Sequence, residues 1–161
     1  MADPELIRKT IADYVARFRD DRDGWLALWA ADATMEDPVG SPVRHGIDSI
    51  AEFYDQSQAS ADSVELRADG PVIVLGNEAS FRFFARPTLG GVAFSLPAID
   101  VMTFDDDARI TSQRAFVDFA MLAPAESPAM ATRARSTGWR LATRSTRASS
   151  VAASAAALPE R

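Results

Sequence analysis

Apolar residues recur at helical spacing in three segments of the first sixty residues. The first segment, residues 5–19, carries the stripe Ile7, Ile11, Tyr14, Val15 and Phe18. The second is expected to begin at an Asp23 cap and to carry Trp25, Leu28 and Trp29. The third, residues 47–58, carries Ile47, Ile50, Phe53 and Tyr54. This part of the chain is therefore predicted to form three helices.

From residue 64 onwards the period of the pattern changes to two, which is typical of half-buried strands. The predicted strands are residues 64–68, 72–75, 79–86, 92–104 and 110–121, and residues 33–37 are a further extended segment that ends at Pro38 and Gly40. Helices followed by hairpin-linked strands indicate an α+β fold. We expect three helices packed on a strongly curved, mostly antiparallel sheet that encloses an apolar pocket.

After Met121 the periodicity ends and Ala, Ser, Thr and Arg dominate the sequence. Such a composition cannot bury enough apolar surface to offset chain entropy, so we predict a folded domain over residues 1–123 and a disordered tail over residues 124–161. The domain carries 21 acidic and 11 basic residues, and the tail carries 2 and 6. An acidic domain argues against nucleic acid as a partner.

No segment has the apolar length needed to cross a membrane, and the N-terminus carries no hydrophobic signal segment. The chain lacks cysteine, which excludes disulfides and thiolate metal sites and fits a cytoplasmic location. The single histidine, His45, is expected on a solvated turn together with Arg44. Acid–base chemistry therefore falls to carboxylates and tyrosines.

Asp100 is the most unusual position of the predicted strand over residues 92–104. It shares one face with five apolar side chains, namely Phe94, Leu96, Ala98, Met102 and Phe104. A bulge at Pro97 could turn Asp100 to solvent, or an arginine could pair with it. The third interpretation is a carboxylic acid that burial keeps protonated, so that it can donate a hydrogen bond.

Two adjacent carboxylates, Glu36 and Asp37, alternate in the extended segment and so face opposite ways. Asp37 shares parity with Met35 and Ala33, which predicts that Asp37 is the inward one and Glu36 its solvated neighbour. Tyrosines that lie on buried helix faces, by themselves, usually only pack and find one acceptor.

Taken together these residues resemble the Δ5-3-ketosteroid isomerases, a group within the NTF2-like, SnoaL-like fold. The resemblance covers roughly residues 5–120. It is carried by Tyr14 and by the motifs WAADATMEDPVGS (29–41), GIDSIAEFY (46–54), VEL (64–66), NEASFRF (77–83) and PAID (97–100). It implies a cone-shaped fold, a small hydrophobic steroid-like ketone as substrate, and a homodimer formed across the outer sheet face.

The resemblance also implies residue roles. Asp37 matches the base that moves a proton between two carbons. Tyr14 and a protonated Asp100 match the two donors to the dienolate oxygen, an arrangement for which ketosteroid isomerase is the established example. Tyr54 matches a tyrosine that supports Tyr14 by a hydrogen bond. The reaction needs neither a metal nor an organic cofactor.

Five further positions are expected in the pocket wall, from the resemblance and from helix or strand parity: Trp29, Phe53, Phe83, Met102 and Val117. Arg82 and Arg86 flank the aromatic strand. An inward-facing arginine there would imply a substrate with an anionic or oxygen-rich end.

Two other functions stay open at this point. One is a polyketide epoxide hydrolase or cyclase of the same fold, in which Asp37 and Glu65 would form the acid–base pair, although the parity of Glu65 weakens that assignment. The other is a non-catalytic protein that binds a hydrophobic ligand. Burial of Asp100 among apolar side chains argues against a mere binder, because a binder has no need of it.

Overall fold

The computed structural model describes residues 1–125. The predicted tail, residues 124–161, lies outside the described residues except for its first two positions, so its disorder stays a prediction. Within residues 1–125 no helix combines the length and apolar character needed to span a bilayer.

Three helices form where the apolar stripes predicted them: α1 (Pro4–Arg17), α2 (Arg22–Leu26) and α3 (Gly46–Ala59). The predicted cap of α2 was wrong, because Asp21 rather than Asp23 accepts a hydrogen bond from the Gly24 amide at 3.0 Å. A Cβ on Gly24 would collide with the Asp21 carboxylate, so the glycine permits this cap.

The strands are β1 (Trp29–Glu36), β2 (Arg44–His45), β3 (Ser63–Ala68), β4 (Ile73–Leu75), β5 (Glu78–Leu89), β6 (Val92–Phe104), β7 (Ile110–Val117) and β8 (Ala123–Pro124). Trp29 was predicted to be helical but begins β1, because the Ile110 amide bonds the Leu28 carbonyl and draws β1 beside β7. The last strand was predicted to reach residue 121. It ends at Val117 and a 3-10 helix, Phe119–Met121, follows, capped by the Asp118 side chain.

The main sheet has the order β2-β1-β7-β6-β5-β3, with β4 added to β5 and β8 to β6. The β1–β7 pair is parallel and the other pairs are antiparallel. The helices α1 and α3 cover one face of this curved sheet, which we call the inner face. The predicted α+β architecture is confirmed.

Alternation along β6 places Leu96, Ala98, Asp100, Met102 and Phe104 on the inner face, where all are buried. The opposite, outer face carries exposed apolar side chains, among them Ile99 on β6 and Phe116 on β7. The homodimer across this outer face stays a prediction.

Candidate active site

A cavity of about 420 Å³ opens between α1, α3 and the inner sheet face, a size common for small-molecule sites. Among the residues predicted for the site, those that line the cavity are Tyr14, Asp37, Phe53, Phe83 and Val117. Aliphatic side chains of β3, β5 and β6 form the sheet side of its wall, including Val64, Leu66, Ala85 and Leu96. The cavity is therefore mainly apolar, with few polar groups.

Asp37 directly follows β1 and is the one carboxylate among the described residues that line this cavity. Burial raises the pKa of Asp37 from its ordinary value to about 6, and the nearby charge of Arg44 acts in the opposite direction. A carboxylate with that pKa is ionised at neutral pH and is a stronger base than a solvated one. Asp37 is thus suited to abstract a proton inside the cavity.

Glu36 points to the other side of the chain and forms ordinary surface contacts. Its carboxylate accepts hydrogen bonds from Arg114 Nε at 2.7 Å and from the Gly40 amide at 2.9 Å. Glu36 and Arg114 are register partners in the parallel β1–β7 pair, so the ion pair follows from the strand alignment. The hydrogen bond from Arg114 lowers the pKa of Glu36, which leaves this group a poor proton acceptor.

Tyr14, Asp100 and Gln113 form a buried polar cluster behind the cavity. The Gln113 side-chain amide donates to Tyr14 Oη at 3.1 Å and to Asp100 Oδ2 at 2.8 Å. Tyr14 lines the cavity, whereas Asp100 and Gln113 are fully buried and do not line it. Asp100 Oδ1 has no hydrogen-bond partner within residues 1–125.

Both acids of this cluster are held in their neutral forms. Burial, together with the charge of Asp37, raises the pKa of Asp100 well above its ordinary value. Burial and the charges of Asp100 and Asp37 likewise raise the pKa of Tyr14. Asp100 has neither turned to solvent nor paired with an arginine in the described part of the chain. A neutral acid and a neutral phenol can donate hydrogen bonds but cannot accept a proton as a carboxylate does.

Sequence reasoning did not identify Gln113. The signal was present, because Gln113 shares the inward parity of β7 with Ala115 and with Val117, which lines the cavity. Diagonal pairing across β6 and β7 brings Gln113 to Asp100, since Ala115 is the direct partner of Asp100.

The predicted support of Tyr14 by Tyr54 was wrong. Tyr54 packs against Phe18 and Trp25, with ring centroids 5.3 Å apart in both pairs. Within residues 1–125 no hydrogen bond joins Tyr54 to Tyr14. Burial, together with the charges of Asp20 and Asp21, raises the pKa of Tyr54. The partner of Tyr14 is Gln113.

Trp29 and Met102 do not line the cavity, contrary to prediction. Trp29 is buried in an aromatic cluster with Trp25 and Tyr14, because it begins a strand and does not extend a helix. Met102 is fully buried on β6, beyond Asp100 as seen from the cavity. Both side chains therefore lie in the hydrophobic core and not in the cavity wall.

Arg44 lies in the cavity wall, so its predicted place on a solvated turn was wrong. It belongs to β2, and pairing with Met35 of β1 turns its side chain towards α3. Arg82 and Arg86 instead face outward, where Arg82 bonds Asp69 at 3.0 Å and Arg86 bonds Glu65 at 3.3 Å.

Glu65 is also on the outer face and does not line the cavity. Arg19 and Arg86 each approach its carboxylate at 3.3 Å. Asp37 and Glu65 therefore do not form a pair around one substrate. Within residues 1–125 no three His, Cys, Asp or Glu side chains lie together in a way that could hold a metal ion.

Known proteins resemble the chain in domain family, in amino-acid sequence and in fold. The SnoaL-like domain family matches residues 11–113. A protein named steroid Delta-isomerase from Nocardioides simplex is 43% identical over 90 residues, which is 56% of this chain and 71% of that relative. The solved structure of SalBIII, an epoxide hydrolase/cyclase-like enzyme described in pyran ring formation of the polyether salinomycin, aligns with a TM-score of 0.69. That alignment covers 78% of this chain and all of SalBIII at 23% identity, and it shows a shared fold.

Proposed function

The chain belongs to the SnoaL-like domain family, and we propose that it is an isomerase that moves a carbon–carbon double bond into conjugation with a ketone. The proposed substrate is a small hydrophobic, steroid-like β,γ-unsaturated ketone. The 43% identical relative is named for this reaction, and the cavity has the apolar walls that such a substrate needs.

In the proposed reaction the Asp37 carboxylate removes a proton from the carbon between the ketone and the alkene. The electron pair of that C–H bond shifts towards the carbonyl and forms a dienolate. The protonated Asp37 then returns the proton to the far carbon of the original double bond, which leaves the conjugated ketone. Because the same proton is removed and returned, the reaction consumes no co-reactant.

The dienolate oxygen gains negative charge and needs a hydrogen-bond donor in a site with little water. Tyr14 supplies that donor in the proposal, because it lines the cavity and its hydroxyl, which accepts from Gln113, stays protonated. Asp100, predicted as the second donor, is fully buried and does not line the cavity, so the proposal places it behind Tyr14 as a neutral acid and not in contact with the substrate. Its neutrality also avoids an anion behind the developing charge.

One observation carries the proposal: a base with a pKa of about 6 and a neutral phenol line the same apolar cavity. An epoxide-opening pair of Asp37 and Glu65 receives no support, because Glu65 is bound by arginines on the other face of the sheet. A purely ligand-binding role leaves the burial of Asp100 without a reason. The cytoplasmic location stays a prediction.

The test is direct: the full chain is incubated with androst-5-ene-3,17-dione, and the absorbance of the conjugated enone is followed. We expect a rate far above that of buffer. A rate equal to that of buffer would reject the steroid form of the proposal.

A further inference from the structure

Arg44 differs from the other half-buried or exposed arginines of the described chain. Most of these form ion pairs with carboxylates, as Arg22 does with Asp55 at 2.7 Å and Arg114 with Glu36 at 2.7 Å. Within residues 1–125 only Arg44 and Arg67 have no carboxylate within 4.0 Å, and Arg67 is exposed to water. Arg44 is thus a half-buried cation in a cavity wall without an acidic partner at contact distance.

The guanidinium of Arg44 is nevertheless held in place. It donates to the Ser49 carbonyl at 3.3 Å and to Gln56 Oε1 at 3.0 Å, and it stacks on the Phe53 ring at 5.7 Å from the centroid. These contacts use two of its five N–H groups, so three donors remain. A fixed, planar guanidinium with free donors is the group that best binds a carboxylate in two-point geometry.

The wall around Arg44 is polar, in contrast to the sheet side of the cavity. Gln56, Ser57 and Ser60 of α3 line the same cavity. Because Gln56 Oε1 accepts from Arg44, its side-chain NH₂ group is left to donate. The cavity therefore has an apolar sheet wall and a helix wall with hydrogen-bond donors and one cation.

We infer that the cavity takes hydrophobic substrates that also carry a carboxylate, and that Arg44 binds this carboxylate. The inference rests on the proposed function for the ring system of the substrate. The charge of Asp37 acts on Arg44 across the cavity but no carboxylate contacts the guanidinium. A half-buried cation without a contacting anion loses solvation energy, and a ligand carboxylate in contact with it would offset that cost. The acid side chain lies along α3 while the rings contact the sheet wall.

The test compares two ligands that differ in one charge: 3-oxochol-4-en-24-oic acid and its methyl ester, which already contain the conjugated enone. Equilibrium dialysis at pH 8 with the full wild-type chain measures both dissociation constants. We expect the acid to bind about tenfold more tightly than the ester, as one charge-assisted contact provides. Equal affinities, or no binding of either ligand, would overturn the inference.

Arg44→Gln removes the charge and keeps hydrogen-bonding groups near Ser49 and Gln56. We expect it to abolish the preference for the acid, while the affinity for the ester changes by less than about twofold. Arg44→Met is the second variant and should likewise abolish the preference for the acid. Arg67→Gln is the matched control, since it removes the other unpaired arginine, and it should retain the preference. A preference that persists in both Arg44 variants contradicts the inference.

The outcomes separate this inference from the proposed function. Isomerisation of neutral androst-5-ene-3,17-dione without any preference for the acid leaves the proposed function intact and rejects the role of Arg44. An Arg44-dependent preference for the acid, without isomerisation of any steroid ketone, supports the role of Arg44 and rejects the proposed isomerase function.

Discussion

Asp100 and Glu65 are both acidic residues on strands of one sheet, but they lie on its opposite faces. Asp100 faces inward, is fully buried, and accepts one hydrogen bond from the neutral amide of Gln113. Glu65 faces outward and is approached by two arginines. The same functional group is thus buried beside a neutral amide on one face and paired with arginines on the other.

The contrast shows that the surroundings, rather than the residue type, decide which acid can serve chemistry. On the outer face, Glu65 is partly exposed and forms ion pairs with Arg19 and Arg86. On the inner face, burial stabilises the neutral form and raises the pKa of both Asp100 and Asp37. The same difference separates the neighbours Glu36 and Asp37.

The largest expected effect is on kcat, and it should distinguish Asp37 from its neighbour Glu36. Asp37→Asn keeps the shape of the side chain and removes the base, so we expect kcat to fall by roughly 10²–10⁴-fold. Glu36→Gln is the matched control, since it removes the adjacent carboxylate outside the cavity, and its kcat should stay within about twofold of wild type. Steady-state kinetics with the neutral ketosteroid measures both. An equal loss in the two variants would contradict the assignment of the inward acid.

The second effect concerns the stability contributed by the neutral Asp100. Its folded pKa is raised above the ordinary value of 3.8, so its contribution is fully present below that pH and is lost as pH rises towards the folded pKa. Within that window, wild type should lose about 1.4 kcal/mol per pH unit relative to Asp100→Asn.

Urea denaturation of both proteins from pH 4 to pH 8 measures this difference. If the free energies of unfolding of the two proteins run parallel across that range, Asp100 does not have a raised pKa.

The third effect is the pH dependence of turnover. Asp37 acts as a base only when ionised, and burial places its pKa at about 6. We therefore expect kcat/KM to rise up to tenfold per pH unit below pH 6 and to level off above it. A profile that is already flat at pH 5 would show that Asp37 ionises like a solvated aspartate.

The fourth effect concerns Gln113. Gln113→Leu removes the donor to Tyr14 and Asp100, and since the hydrogen bond from Gln113 lowers the pKa of Tyr14, its loss makes Tyr14 a weaker donor to the substrate. We expect kcat to fall about tenfold, the value of one hydrogen bond.

Ser112→Ala is the matched control for Gln113→Leu. It removes a polar contact of the same strand, at 2.7 Å to Thr103, on the outer face. It should leave kcat unchanged, and equal losses in the two variants would indicate a general effect on β7.

The smallest effect is expected at Glu65. Glu65→Gln removes a partly exposed ion-pair partner, which typically contributes no more than about 1 kcal/mol to stability. Turnover should stay within about twofold of wild type. A larger loss of turnover than in Asp37→Asn would favour the epoxide-opening chemistry.

Sequence periodicity determined which side chains share a face of a strand or helix, because that arrangement depends only on local backbone geometry. The period of two along residues 92–104 gave β6 with its observed bounds and placed Asp100 inward. The parity of residues 33–37 likewise separated Asp37 from Glu36. Helix α1 brought Tyr14 to the cavity, as its apolar stripe indicated.

Only the tertiary structure decided which side chains meet, because such contacts join residues that are distant in sequence. Gln113 reaches Tyr14 across 99 positions, and no local pattern shows that approach. Arg44 lies in the cavity wall because β2 pairs with β1. The turn-like sequence did not indicate this pairing. Sequence alone therefore determined the faces of the strands and helices, and long-range packing determined their partners and, with them, their charge states.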